Sequence, residues 1–238
     1  MEDLQKLLDN NRAWADKMVR DDPDFFKRLE GLQQPDFLWI GCSDSRVPAN
    51  EILGMLPGEI FVHRNVANVV AHSDINCQSV IQFAVERLKV RHIMVVGHYG
   101  CGGVHAAMDR SRSAGIVDYW LGHVRDVHSQ HQHLIDAEPT ERRKESLLGE
   151  LNVMEQAINV CTSAAVMDAW ARGQPLSVHG WIYRLGDGLL RHLEVSVNGP
   201  VDLSALRTRS VGMILAARAE YSARLRGDVS PPTAPAGA

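Results

Sequence analysis

In the stretch WIGCSDSRVP, residues 39 to 48, Cys42, Asp44 and Arg46 stand two apart. A thiolate and a carboxylate can both bind metal, and an arginine beside them competes for the carboxylate. Asp44 therefore has two partners open to it, a metal ion or Arg46. Further on, GHYGCGG places His98 and Cys101 three apart. Cys42, His98 and Cys101 make a borderline-soft set that suits Zn²⁺ in tetrahedral N and S coordination. A Cys₂His set with a fourth position open to water is a catalytic pattern; four protein ligands make a closed, structural or inactive site.

These residues need elements that bring them together. DFLWIG, EIFVHR and HIMVVG are short apolar runs rich in β-branched and aromatic residues, each ending in loop chemistry. They read as strands. Between the second and third, SDINCQSVIQFAVERLKV reads as a helix with Ser73 as N-cap. Strands alternating with helices predict a mostly parallel α/β sheet. Parallel strands end on one edge, and ligands bind outside their carboxyl ends. Cys42, Arg64 and His98 all follow or close such runs, so they are expected to converge.

After residue 101 the chain reads as largely helical. DYWLGHVRDVHSQHQHLID is one segment. The stretch from Thr140 to Gly173 is a second, expected to break near Gly149, with a buried later part. LSVHGWIYRL and LLRHLEVSV flank Gly186-Asp187-Gly188 and predict a hairpin, hence an antiparallel edge strand. A last helix is expected over about 202–225. Residues 226–238, rich in Pro, Ala and Gly, read as a disordered tail. Residues 1 to about 30 read as a helical arm. Leu4, Leu7, Leu8 and Met18 form a stripe, and a second short helix begins at Pro23. Such an arm is expected to lie on the body or on another subunit. No repeat or linker divides residues 1–225, which read as one domain.

Composition narrows the classes. The chain has 238 residues, 45% hydrophobic and 23% charged, as in soluble globular proteins. A formal net charge of -4 gives no reason to expect nucleic acid. No apolar run approaches the roughly 18 residues that would span a membrane, and the acidic, polar start lacks the form of a signal peptide. The expected location is cytoplasmic. Four cysteines in a chain of this length are not a disulfide framework. Cys77 and Cys161, inside helical segments, read as buried small residues. His128, His131 and His133 read as a solvated helix face rather than a metal site. Nucleotide-binding glycine motifs are absent.

CSDSR, HRNVAN, GHYGCGG and ELNVMEQ together resemble the β-class carbonic anhydrases, over residues from about 30 to 195. The resemblance implies a mostly parallel sheet flanked by helices, a homodimer or tetramer, and reversible hydration of CO₂ to bicarbonate and a proton. It implies zinc on Cys42, His98 and Cys101, with water or Asp44 in the fourth position and Asp44 and Arg46 as a catalytic dyad. Zinc makes hydroxide available near neutral pH. Two thiolates donate more charge than three histidines would, so an alkaline rate profile is expected. Asn152 and Gln156 would lie near the subunit interface and position neighbouring loops.

A narrower likeness is to the bacterial subgroup inhibited by bicarbonate, through Trp39, Val47, Arg64 and Tyr183. There bicarbonate would bind against Trp39, Arg64 and Tyr183 and favour Asp44 on the metal. Against these, Arg64 could simply hold the strand end, and Trp39 and Tyr183 could be core aromatics. Two other functions stay open: a zinc hydrolase of carbonyl sulfide or carbon disulfide, and a non-catalytic zinc or thiol sensor.

Overall fold

The computed structural model describes residues 2–31, 33–109 and 115–226. Five strands form one sheet: β1 (Phe37–Cys42), β2 (Ile60–Asn65), β3 (His92–His98), β4 (Ser177–Arg184) and β5 (Leu189–Val197). Their order is β2-β1-β3-β4-β5. All neighbours are parallel except β4 and β5, the expected hairpin at the edge. Cys42 pairs with Asn65 in register, and His98 with Tyr183. The reactive ends of β1, β2 and β3 therefore share one edge.

One sheet face packs on α8 (Glu141–Cys161), with Leu38, Ile40, Ile93 and Val95 fully buried against Leu151, Val153 and Met154. The fit leaves no room for extra atoms. A Cβ at Gly97 would stand 2.5 Å from Val153 Cγ2. Gly149 does not break α8, contrary to the expectation. It lies inside a buried helix, and a Cβ there would meet Ile182 Cδ1 at 3.9 Å. Burial of the surrounding apolar residues outweighs the helix cost of glycine, about 1 kcal/mol. The segment turns later, at Thr162 and Ser163, before α9 (Ala164–Ala171). The other face carries a smaller cluster around Trp39, Met94 and Val96, capped by Val47 and by α3 (Ala49–Leu53), a helix the sequence did not announce.

Other boundaries need correction. The helix after β2 begins at Ile75, and its cap is Asp74, not Ser73; the Asp74 side chain accepts from Asn76 N–H at 3.1 Å. This helix, α4 (Ile75–Gln82), continues as a π-helical segment over Phe83–Leu88 and stops at Lys89. After α5 (Gly102–Met108), the expected single helix is two, α6 (Ile116–Gln130) and α7 (Gln132–Asp136), with His131 at the joint. His131 is not on a solvated face. It is 5% exposed and sits 2.9 Å from Glu155 Oε1. The joint turns that ring inward, while His133 stays exposed.

The arm forms α1 (Glu2–Asp21) and α2 (Phe25–Gly31), tied by an edge contact between Trp14 and Phe26. Its Leu4, Leu7 and Leu8 remain more than half exposed, so the described body does not cover that stripe. The last helix, α10 (Leu203–Arg226), crosses α8 and is strapped to it by buried charge. Arg218 reaches Glu138 and Glu150, and Arg207 takes Glu155 in a bidentate pair at 2.7 and 3.0 Å. The expected tail lies, apart from Arg226, outside the described residues. No helix among the described residues is long and apolar enough to cross a membrane.

Candidate metal centre

β1 and β3 end side by side and deliver Cys42 and His98; a short turn then returns Cys101. That turn needs Gly100, which sits at φ +68, a backbone region that favours glycine. Gly103 is required for close approach, since a Cβ there would meet Val66 Cγ1 at 2.8 Å. The turn carrying Val66 and Ala67 thus seats directly over the start of α5.

Cys42, His98 and Cys101 are all buried, and one ligand atom from each lies within 4.8 Å of the others. The two sulfurs are 3.7 Å apart. A tetrahedral zinc with Zn–S of about 2.3 Å separates two sulfurs by about 3.8 Å. His98 Nδ1 lies 3.2 Å from the Tyr99 carbonyl. Donation there leaves Nε2 as the free lone pair, the usual second partner of a ligating imidazole. That Nε2 is buried and has no hydrogen-bond partner among the described residues. A buried nitrogen of this kind is costly unless something occupies its lone pair. The donor set fits zinc in both geometry and chemistry.

The sulfurs are also prepared electronically. The hydrogen bond from Cys101 lowers the Cys42 thiol to about 4, against the effect of burial and with help from the N–H groups of Asp44 and Ala67. Cys101 moves the opposite way, because it donates to Cys42 and is buried. Without metal the pair therefore shares one proton, which a metal ion would displace.

Asp44 lies beside this set, its Oδ2 3.7 Å from His98 Nε2. In this structure the carboxylate belongs to Arg46. Arg46 Nε donates to Oδ1 at 2.9 Å, one terminal nitrogen donates to Oδ2 at 2.6 Å, and its backbone N–H to Oδ1 at 3.0 Å. These bonds, the side-chain pair foremost, hold the carboxyl well below the usual carboxylate range.

Arg64 pairs with no carboxylate among the described residues. Its guanidinium donates to the main-chain carbonyls of Cys42, at 2.8 Å, and Asp44. It clamps the turn that carries both residues. Trp39 is fully buried, and its Nε1 has no acceptor among the described residues. The indole lies against Gly41, where a Cβ would stand 2.1 Å from Nε1, and Gly41 pairs with Arg64 in register. Tyr183 is half-buried and packs against the same cluster as Trp39 and Val47.

Sequence reasoning under-read the support behind these groups. Asn152 donates to the Ala67 carbonyl at 2.9 Å, and Gln156 Oε1 accepts from Val70 N–H at 2.8 Å. Asn65 closes the same turn with two bonds to Val69, both 2.7 Å. Ala67 itself sits at φ 64, an uncommon conformation for a non-glycine residue. Nothing in the local pattern NVAN announces it. The carbonyl of Tyr99 as partner of His98 was likewise not foreseen.

A second group, His63, Asp74 and Cys77, also comes within 4.8 Å. Its members have other work. His63 Nε2 meets Asn65 Nδ2 at 3.2 Å, Asp74 caps α4, and burial pushes the Cys77 thiol up to about 12. A thiol that resists ionisation is a poor ligand. Cys161 is buried too, its thiol also pushed up to about 12 by burial.

A mostly parallel sheet with two cysteines and a histidine gathered at its carboxyl edge defines an α/β protein with a candidate soft-metal site. Residues 37–190 match the family model described as carbonic anhydrase. A carbonic anhydrase of Emericella nidulans is 46% identical over 82% of this chain and 85% of its own length. One from Candida albicans is 37% identical over 81% and 68%. Among solved structures, a Coccomyxa β-carbonic anhydrase in complex with acetazolamide superposes with TM-score 0.80 at 40% identity, covering 86% of this chain and 96% of that one. A tetrameric β-carbonic anhydrase from Sordaria macrospora gives 0.79 at 39%, covering 83% and 100%. The chain belongs to the carbonic anhydrase family, in its β class.

Proposed function

We propose that this protein catalyses the reversible hydration of CO₂ to bicarbonate and a proton at a zinc site held by Cys42, His98 and Cys101. The observation that carries the reading is the Nε2 of His98, without a hydrogen-bond partner among the described residues, beside two sulfurs 3.7 Å apart, with an ionised Asp44 3.7 Å away. Zinc bound there is a Lewis acid that lowers the pKa of water from about 15.7 to about 7. Asp44, kept charged by Arg46, accepts a hydrogen bond from the attacking water and fixes its orientation. An ionised carboxylate can only accept, so it selects a lone pair rather than a proton to face the substrate. Val66, partly exposed above Gly103, offers CO₂ an apolar surface. Arg64 keeps the Cys42–Asp44 turn in place through its two carbonyl bonds.

Stopped-flow CO₂ hydration above pH 8, with zinc content measured on the same sample, tests this. Turnover is expected from zinc-replete protein and a fall of about 10²-fold in Asp44→Asn. A fully zinc-loaded protein without activity would favour a non-catalytic zinc protein. Parallel assays on carbonyl sulfide and carbon disulfide separate the related hydrolases.

A regulatory role for bicarbonate is supported by the indole N–H of Trp39, which has no acceptor among the described residues, beside the Arg64 side of the sheet. An oxyanion drawing on both Trp39 and the fork of Arg64 would loosen the Asp44 carbonyl from Arg64. The freed turn would let Asp44 leave Arg46 for the metal. Trp39→Phe or Tyr183→Phe should then weaken inhibition by bicarbonate; unchanged inhibition in both removes the idea. A homodimer or tetramer is supported by the uncovered leucine stripe of α1 and by the tetrameric Sordaria relative.

A further inference from the structure

Between α8, β5 and α10 lies a cavity of about 550 Å³, within the size of small-molecule sites. It is separate in composition from the metal centre: none of Cys42, Asp44, His98 or Cys101 lines it. Tyr99, the residue after His98, contributes to its wall.

Its walls carry many charges, and nearly all are spent. Arg143 is paired with Glu138, Arg218 with Glu138 and Glu150, and Arg191 with Asp187. Glu150 also accepts from the Tyr99 hydroxyl at 2.6 Å, and Glu194, whose backbone N–H donates to His192 Nδ1 at 2.9 Å, keeps its carboxylate more than half exposed. Two guanidiniums stand apart: Arg142, exposed on α8 at the edge of the cavity, and Arg184, which reaches inside it. The Arg184 guanidinium carbon stands 4.5 Å over the Tyr99 ring and 5.5 Å from that of Tyr221, between two aromatic faces. Its Nε is buried and finds no hydrogen-bond partner among the described residues. Asp187 Oδ2 lies 3.6 Å from that Nε, a loose ion pair, and accepts its hydrogen bond from Arg191. That separation is too long for a hydrogen bond. Stacking positions a guanidinium but leaves its in-plane donors unused.

Beside Arg142, Ser146 and Glu220, one stretch of the wall is apolar. Leu193, Met213, Ile214 and Ala217 line it from β5 and α10. A planar fork with donors to give, set against an aliphatic wall, is complementary to a carboxylate on an apolar body. Inside the cavity Arg184 is the guanidinium whose buried Nε has no hydrogen bond among the described residues, which provides for one carboxylate head. An inorganic phosphate would leave the aliphatic wall uncovered.

We propose that this cavity binds an organic monocarboxylate, its carboxylate on Arg184 between Tyr99 and Tyr221 and its apolar body along Leu193, Met213, Ile214 and Ala217. The site does not depend on the zinc reading.

Titration calorimetry of the full-length, zinc-loaded protein with octanoate tests it, with inorganic phosphate as the second probe. Octanoate is expected to bind one site per chain, at least tenfold more weakly in Arg184→Gln and in Ala217→Trp, which fills the cavity. Phosphate is expected not to displace it. In protein labelled at the methionine methyls, octanoate should shift the Met213 signal, a readout that survives a variant failing to fold. No octanoate binding at millimolar concentration, or equal affinity in wild type and both variants, would overturn the proposal. So would Arg184-dependent binding of phosphate that displaces octanoate, or an unmoved Met213 signal at saturation.

Discussion

Replacing Gln156 by leucine tests how the metal-side turn is held. The substitution nearly keeps side-chain volume and removes polarity alone. Val70 N–H, which donates to Gln156 Oε1 at 2.8 Å, loses its acceptor, and Asn152 Oδ1 loses its donor at 3.1 Å. Val70 and Asn152 are both fully buried, so water cannot replace either bond without opening the structure. An orphaned buried polar group costs about 1–3 kcal/mol. Burying the leucine returns about 1.5 kcal/mol. Two such groups less the leucine leave a net loss of about 0.5–4.5 kcal/mol, with about 2.5 at the middle, which for a chain of this size lowers the melting temperature by about 5–10 °C. Differential scanning calorimetry of the zinc-loaded variant measures it. Gln82→Leu is the control, because Gln82 is exposed and bonds only to Glu86 at 3.2 Å; about 0.5 kcal/mol or less is expected there. Because Ala67 N–H bonds to the Cys42 sulfur, Gln156→Leu should also speed zinc loss to a chelator. A melting temperature within about 1 °C of wild type would refute the claim that α8 holds this turn through side-chain bonds.

In zinc-stripped protein at pH 6, iodoacetamide should modify Cys42 and leave Cys77 and Cys161 unlabelled. Cys42 is lowered to about 4 by its bond from Cys101, whereas burial pushes the other two up to about 12. Zinc should protect Cys42, and peptide mass spectrometry reads all three sites; labelling of Cys77 before Cys42 would contradict the assignment. Burial acts to raise the Glu155 carboxyl, yet bonds from His131 and Arg207 win and lower it. A carboxyl lowered on folding adds stability that is full above its ordinary value of about 4.3 and is lost as pH falls through the depressed one. Glu155→Gln should therefore lower the melting temperature at pH 7 and flatten its dependence on pH below about 4.3. Curves for the two proteins that stay parallel down to unfolding would refute this.

Much of the centre was legible because parallel strands obey one rule. CSDSR, HRN and GHYGCGG each follow an apolar run, and parallel runs must end on one edge. The Gly186-Asp187-Gly188 turn likewise fixed the antiparallel edge. What could not be read depends on partners distant in sequence. His131 looked solvated because buried Glu155, its partner, and half-buried Arg207, which pairs with Glu155, lie on other helices. Gly149 looked like a break because only the tertiary structure shows the sheet packed against it. Arg64 looked free for an anion, yet its donors go to two carbonyls that its type does not announce. The cap at Asp74 rather than Ser73 is a different kind of miss, a choice between adjacent residues with similar capping ability.

The most direct test of the central claim is zinc-edge X-ray absorption on the protein as purified. Two sulfurs at about 2.3 Å, one imidazole nitrogen at about 2.0 Å and one further oxygen are expected. Cys42→Ser and Cys101→Ser should each remove one sulfur, while Cys77→Ser leaves the spectrum unchanged. A shell with three or four sulfurs, or one that loses a sulfur in Cys77→Ser, would contradict the assignment of Cys42, His98 and Cys101.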